Sequence, residues 1–167
     1  MNLERLNSAI SSASSSLLKT DISTDWPDIR DDSDVGLYLS NCVTEDGFDA
    51  SGIGFLGCSS LVDENAEGVV PGGKIRRFGL VATAISVSGN AVVFSVNSGK
   101  VFWADHSFFS LDENVSYTDE QGNWQYAPWN QQNVELALLP LSDSIENFIV
   151  EALEGKWTTR LEELDLK

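Results

Sequence analysis

The chain has 167 residues, 42% hydrophobic and 10% aromatic, with 26 acidic against 10 basic side chains and a formal net charge of −16. That length and apolar content suit a single folded domain, taken as residues 1–167, and exclude a disordered tail. The charge argues against functions that rest on neutralising nucleic-acid phosphates or on adsorbing to anionic lipid, and it favours a basic partner steered in by the field.

The first predicted element is a helix. Leu3, Leu6, Ile10, Ala13 and Leu17 recur at steps of three and four, which places them on one stripe. Six serines between Ser8 and Ser16 weaken that helix, because their hydroxyls compete for the backbone. Packing must therefore hold it, and its end is expected near Lys19 or Thr20. The opening residues carry no apolar signal-peptide core, and no run is long enough to span a bilayer, so the expected location is cytoplasmic. In that reducing compartment Cys42 and Cys58 are expected as free, buried thiols rather than a disulfide. Two thiols and one imidazole are too few for a zinc site.

Pro27 blocks continuous helix ahead of the acidic cluster Asp28, Asp31, Asp32 and Asp34, a segment that reads as a short helix or a loop. "VGLYLSNCV" reads as buried, either extended or helical. A short strand is predicted from Ile53 to Leu56, then an acidic loop, "VDENAEGVVPGGK", closed by Pro71, Gly72 and Gly73. "VVPGGKIRR" has the glycines and lysine of a phosphate loop but not the Walker spacing, and a strand is expected after it, so it reads as a turn. Lys74, Arg76 and Arg77 form a lone basic cluster. Internal pairing with the acidic loops is expected ahead of a role as anchor for a partner's carboxylate.

The middle of the chain predicts a three-stranded antiparallel meander: "FGLVATAIS", "AVVFSV" and "KVFWADHS", joined at Ser88-Gly89-Asn90 and Asn97-Ser98-Gly99. Both connections are too short for a crossover, which forces antiparallel pairing. Residues 110 to 133 read as a long polar loop with a small excursion of its own, and "NVELALLPL" as one more short strand. Asp143 with Glu146 resembles a capping pair for a helix whose apolar face is Ile145, Phe148, Ile149, Ala152 and Leu153, stopped by Gly155. A last short helix carries Trp157, Leu161 and Leu164. Segregated strands and helices predict an α+β fold: an antiparallel or mixed sheet built on the meander, with N- and C-terminal helices packed around it.

The sole histidine, His106, stands beside Asp105, as in many active sites. Neighbours on a strand point to opposite faces, so Asp105 is badly placed to orient that imidazole, and no nucleophile elbow is present. The pair reads as the polar end of a strand. Acid spacing in "DIRDDSDVG" misses a calcium loop, and carboxylate pairs carry no information among so many acids. A protein without enzymatic activity, cofactor or metal is expected.

From Trp26-Pro27 through "IGFLGCSSLVDEN", "FGLVATAISVSGNAVVFSVNSGKVFWADHSFF" and "LPLSDSIENFIVEAL", the order of features resembles the SUKH superfamily of Smi/Knr-like proteins. The resemblance implies an α+β fold. It further implies a bacterial immunity protein that binds and neutralises a cognate toxin, often a nuclease or other nucleic-acid-modifying enzyme. A basic toxin surface and an acidic inhibitor are physically complementary. The residues expected to carry such binding are acids with aromatics nearby: Trp26, Asp28, Asp31, Asp32 and Asp34, then Asp119, Glu120, Trp124, Tyr126 and Trp129. The alternatives are an intracellular regulator or scaffold of the Smi/Knr type with several partners, and a mimic of double-stranded DNA.

Overall fold

The computed structural model describes residues 1–14, 26 and 28–166. Helix α1, Leu3–Ala13, begins where the Asn2 side chain accepts from the Arg5 backbone N–H at 3.1 Å. It buries Leu6 and Ile10 completely, with Leu3 packed partly against them. Burial of those two side chains contributes about 2 kcal/mol each. The three serines within the helix cost roughly 1.5 kcal/mol of propensity, so packing decides the outcome. The helix ends at Ala13, short of the expected boundary, and Ser14 is already extended. Ala13 is exposed rather than part of the buried stripe, and Leu17, Lys19 and Pro27 lie outside the described residues.

Ser33 caps helix α2, Asp34–Asn41, which settles "VGLYLSNCV" as helical over most of its length. Strands β1, Phe48–Ala50, and β2, Ile53–Phe55, form a hairpin through Ser51 and Gly52, both at positive φ (51° and 80°). Phe48 and Phe55 stack across that pair with ring centroids 4.6 Å apart. The expected acidic loop begins within helix α3, Cys58–Glu64, and ends within a short helix α4, Gly72–Arg76, which carries Lys74 and Arg76 and is capped at its C-terminus by Arg77, with no strand directly after the glycines. Glycine is required there for a packing reason. A Cβ on Gly73 would lie 1.8 Å from the Ala66 carbonyl oxygen, because the start of α4 crosses the turn that follows α3.

The meander is present as β3, Leu80–Ile85, β4, Ala91–Ser95, and β5, Val101–Ala104. The long polar stretch then folds into a separate two-stranded hairpin, β6, Asn114–Thr118, and β7, Trp124–Pro128. Helix α5, Gln131–Leu136, takes the first part of "NVELALLPL", and strand β8, Leu138–Ser142, takes the rest and pairs with β5. Helices α6, Ile145–Leu153, and α7, Thr158–Asp165, close the described chain. Gly155, at φ 75°, ends α6 as expected. Its cap is Ser144, however, not Asp143. Asp143 pairs with Lys100 at 3.0 Å, while Glu146 reaches across to α1, accepting from Arg5 at 2.9 Å and from the Asn2 N–H.

The fold is α+β: N- and C-terminal helices pack on a six-stranded antiparallel sheet in the order β1-β2-β3-β4-β5-β8. Both faces of the central strands are buried. Val81, Val92, Phe94, Val101 and Trp103 point to a core closed by α1, α2, α6 and α7. Leu80, Ala82, Ala91, Val93 and Ala104 point to a second core closed by Ile75, Phe109, Val115 and Val134. Side-chain alternation along each strand produces this division.

One buried polar side chain ties α3 to the sheet. At Ala82 the β3 ladder bulges, and the Asn65 amide takes over its backbone groups. Asn65 Oδ1 accepts from Ala82 N–H at 2.9 Å, and Nδ2 donates to the Ala82 carbonyl at 2.8 Å. Replacing Asn65 with leucine strands both groups in the interior. We expect a loss of about 3 kcal/mol in urea unfolding; a loss below about 1 kcal/mol would mean that water replaces the amide.

Candidate functional site

The Asp105–His106 pair is structural. Asp105 caps a 3-10 turn, His106–Phe109, accepting from Ser107 N–H at 2.9 Å and Ser107 Oγ at 2.6 Å. His106 turns away to Asn90, whose Oδ1 accepts from the His106 backbone N–H and lies 3.0 Å from Nδ1, so Nδ1 carries the proton. Asn90 in turn donates to Ser88 and to Asp165. Burial opposes ionisation of Asp165, but donors from Ser86, Ser88 and Asn90 outweigh it and hold its carboxyl below the usual range. Nothing in this cluster presents a nucleophile to the imidazole.

The two cysteines are far from any such chemistry. No disulfide joins them. Burial pushes the Cys42 thiol up to about 12, so it stays protonated, donating to Asn7 Oδ1 at 3.3 Å. Cys58 is only partly buried, which departs from the expected burial of both. Among the described residues no group of three or more His, Cys, Asp or Glu is arranged to hold a metal ion, and no helix is long and apolar enough to cross a membrane.

The acids and aromatics singled out from the sequence separate into three places. Trp26, Asp28 and Trp129 meet with the basic cluster around a cleft of about 530 Å³. Trp26 is buried and belongs to the first core; Trp129 is half-buried and stacks on Phe78 and Phe109 of the second. Between them Arg76 donates twice to Asp28, at 2.7 and 2.9 Å, with its guanidinium 5.3 Å above the Trp26 ring. Lys74 holds Asp112 at 2.8 Å. The internal pairing expected of Lys74 and Arg76 is therefore present. Arg77 is different: its guanidinium lies 5.0 Å over Phe78 and 5.3 Å over Trp129, with no carboxylate partner among the described residues.

Asp31, Asp32 and Asp34 do not line this cleft. Asp31 is exposed, Asp32 is held by Arg30 at 2.6 Å, and Asp34 sits in the first turn of α2, 3.2 Å from the Met1 ammonium. An acid at a helix N-terminus is stabilising in its own right. On the β6–β7 hairpin, Asp119 is taken up by the turn, accepting from Asn123 N–H at 2.8 Å, Gln121 N–H at 3.0 Å and the Gln125 amide at 2.8 Å. Glu120 is exposed at the tip. Trp124 and Tyr126 stand out from β7, 50% and 64% exposed. Trp124 meets Phe108 edge-on at 5.1 Å, bordering a groove of about 340 Å³ with Trp103 and Leu139.

Asp112 and Phe108 were not singled out from the sequence, and both lie on connections whose partners are distant in the chain. Neither a family model, nor a curated protein, nor a solved structure matches this chain. The site is therefore defined by its own geometry.

The Asp28–Arg76 tie has a definite pH dependence. Arg76's hydrogen bonds and charge outweigh partial burial and hold the Asp28 carboxyl below its ordinary 3.8. A carboxyl lowered in the folded state stabilises fully above the ordinary value, and the benefit is lost as the pH falls through the lowered one. Asp28→Asn is expected to be about 1 kcal/mol less stable than the parent at pH 7. In urea melts that gap should close as the pH falls below 3.8; a gap independent of pH would assign the loss to packing.

Proposed function

We propose that this chain is a non-enzymatic binding protein of the immunity type, which neutralises a basic, nucleic-acid-acting toxin by covering it with an acidic surface. The observation that carries the reading is the imbalance of charge on the folded surface. Of the 24 Asp and Glu among the described residues, eight have a cationic partner among those residues and sixteen do not. A surface of this kind attracts a basic protein over a Debye length and speeds its encounter. The resemblance to the SUKH superfamily supports the same reading.

Charge alone gives rate and orientation, whereas affinity comes from a few desolvated aromatic contacts. Trp124 and Tyr126 meet that need. They project side by side from a two-stranded hairpin that is outside the main sheet, beside the groove at Phe108 and Leu139. Alternate residues on one strand share a face, so both rings can enter one partner surface together.

The experiment is co-purification with the product of the neighbouring gene, at low and moderate salt, with relief of its toxicity on co-expression. Trp124→Ala and Tyr126→Ala are each expected to weaken the complex by about 2 kcal/mol, roughly thirtyfold. Reversal of the exposed acids Asp31 and Glu120 to lysine should slow association and flatten its salt dependence, with little change in dissociation. A chain that forms no complex and relieves no toxicity would sink the proposal. Unaltered binding by the two aromatic variants would move the contact off the hairpin.

A further inference from the structure

Lys19 and Lys167 lie outside the described residues; of the other eight lysines and arginines, seven pair with a carboxylate of the chain. Arg77 alone does not, although acids outnumber bases 26 to 10. Its position is not incidental, because it lines the cleft of about 530 Å³ between Trp26 and Trp129. That volume falls within the roughly 300–1,000 Å³ of small-molecule sites.

Arg76 Nε and Trp129 Nε1 are buried N–H groups without an acceptor among the described residues, and they lie beneath the cleft surface rather than on it. Trp129 is half-buried and supplies apolar wall, and the exposed Arg77 guanidinium rests against Phe78 and Trp129. A fork immobilised in this way loses little entropy when it takes a carboxylate.

We propose that this cleft binds a small aromatic monocarboxylate, with its carboxylate on Arg77 and its ring against the Trp129 side of the cleft. Charge balance disfavours a second negative charge, because three lining cations already face three lining carboxylates. Lys74 and Arg76 are already neutralised by Asp112 and Asp28, and Glu67 lies on the lining as well. One guanidinium is uncommitted, and three carboxylates surround the opening. A phosphate dianion would meet net repulsion there. The same chemistry is presented by a free small molecule and by the C-terminal aromatic residue of a peptide. The proposal is independent of toxin binding at the hairpin, so either can fail alone.

The test is titration of the full chain with phenylacetate, phenylacetamide and phenyl phosphate, read from the indole N–H resonances of Trp26 and Trp129. Saturable movement of the Trp129 resonance is expected with phenylacetate, and affinity roughly ten- to hundredfold weaker for the amide. Arg77→Gln should show the same loss for phenylacetate while keeping the dispersed spectrum of a folded chain; Arg160→Gln, also a guanidinium lost, should bind as the parent does. A peptide ending in phenylalanine, with free and with amidated C-terminus, separates the two sources: tighter binding of the free-ended peptide than of phenylacetate assigns the site to a chain terminus, and weaker binding to a free molecule. Equal affinity for the amide, undiminished binding by Arg77→Gln, preference for phenyl phosphate, or no saturable movement with either carboxylate probe would each overturn the assignment.

Discussion

The central strands β3, β4 and β5 are apolar on both faces, and the rest of the structure follows from covering them. A strand that buries alternate side chains in opposite directions needs two lids, and one amphipathic helix layer provides only one. The first lid is made by the terminal helices, whose stripes end in Leu6, Ile10, Phe148, Ile149, Leu161 and Leu164. The second is assembled from short pieces: α4, the 3-10 turn, β6 and α5, contributing Ile75, Phe109, Val115 and Val134. None of these pieces has a broad apolar face. They tile the sheet instead, and Trp129 packs partly against the second core at the margin of that tiling. The cleft is the space left there, and the hairpin is a projection from the same patchwork.

Electrostatics is organised around a shortage of cations. Seven described basic side chains serve to pin the chain to itself, among them Arg5 holding Glu146 between the first helix and the sixth, and Arg76 holding Asp28. Exposed pairs of this sort add little stability individually. Their greater effect is to fix which acids remain unpaired, and hence where the surface potential is most negative. Arg77 departs from the pattern because aromatic faces, not a carboxylate, hold its guanidinium.

Legibility in the sequence tracked the presence of a buried face. The meander was readable because Val81, Val92, Phe94, Val101 and Trp103 alternate with a second apolar set, and glycine turns separate the strands. Helix α6 was readable from its stripe and from Gly155, although the cap was misplaced by one residue because both Asp143 and Ser144 are capping types. Strand β7 was not readable. Four of its five residues are exposed, and a strand without a buried side has no alternation to detect. Helix α3 was masked by its acids, since Leu61 is its only fully buried side chain. Of the candidate site, the basic trio and both tryptophans were visible as residues. Their meeting in one cleft was not, because the contacts run from 26 to 76, from 74 to 112 and from 77 to 129.

By itself the sequence determined the fold class, the meander, the helical ends and the sign of the surface, because each rests on local periodicity, turn chemistry or a count of charges. It read the Asp-His pair as a strand end, whereas the pair lies just past β5, where Asp105 caps a 3-10 turn and His106 turns to Asn90. Tertiary structure alone decided that Asp28 and Asp112 are consumed by internal cations, that Trp26 is buried while Trp124 and Tyr126 stand free, and that Arg77 is left uncommitted. Those outcomes depend on which distant segments share the margin of the second core. Distance in space between residues far apart in the chain is set by packing the whole sheet, and no local pattern carries it.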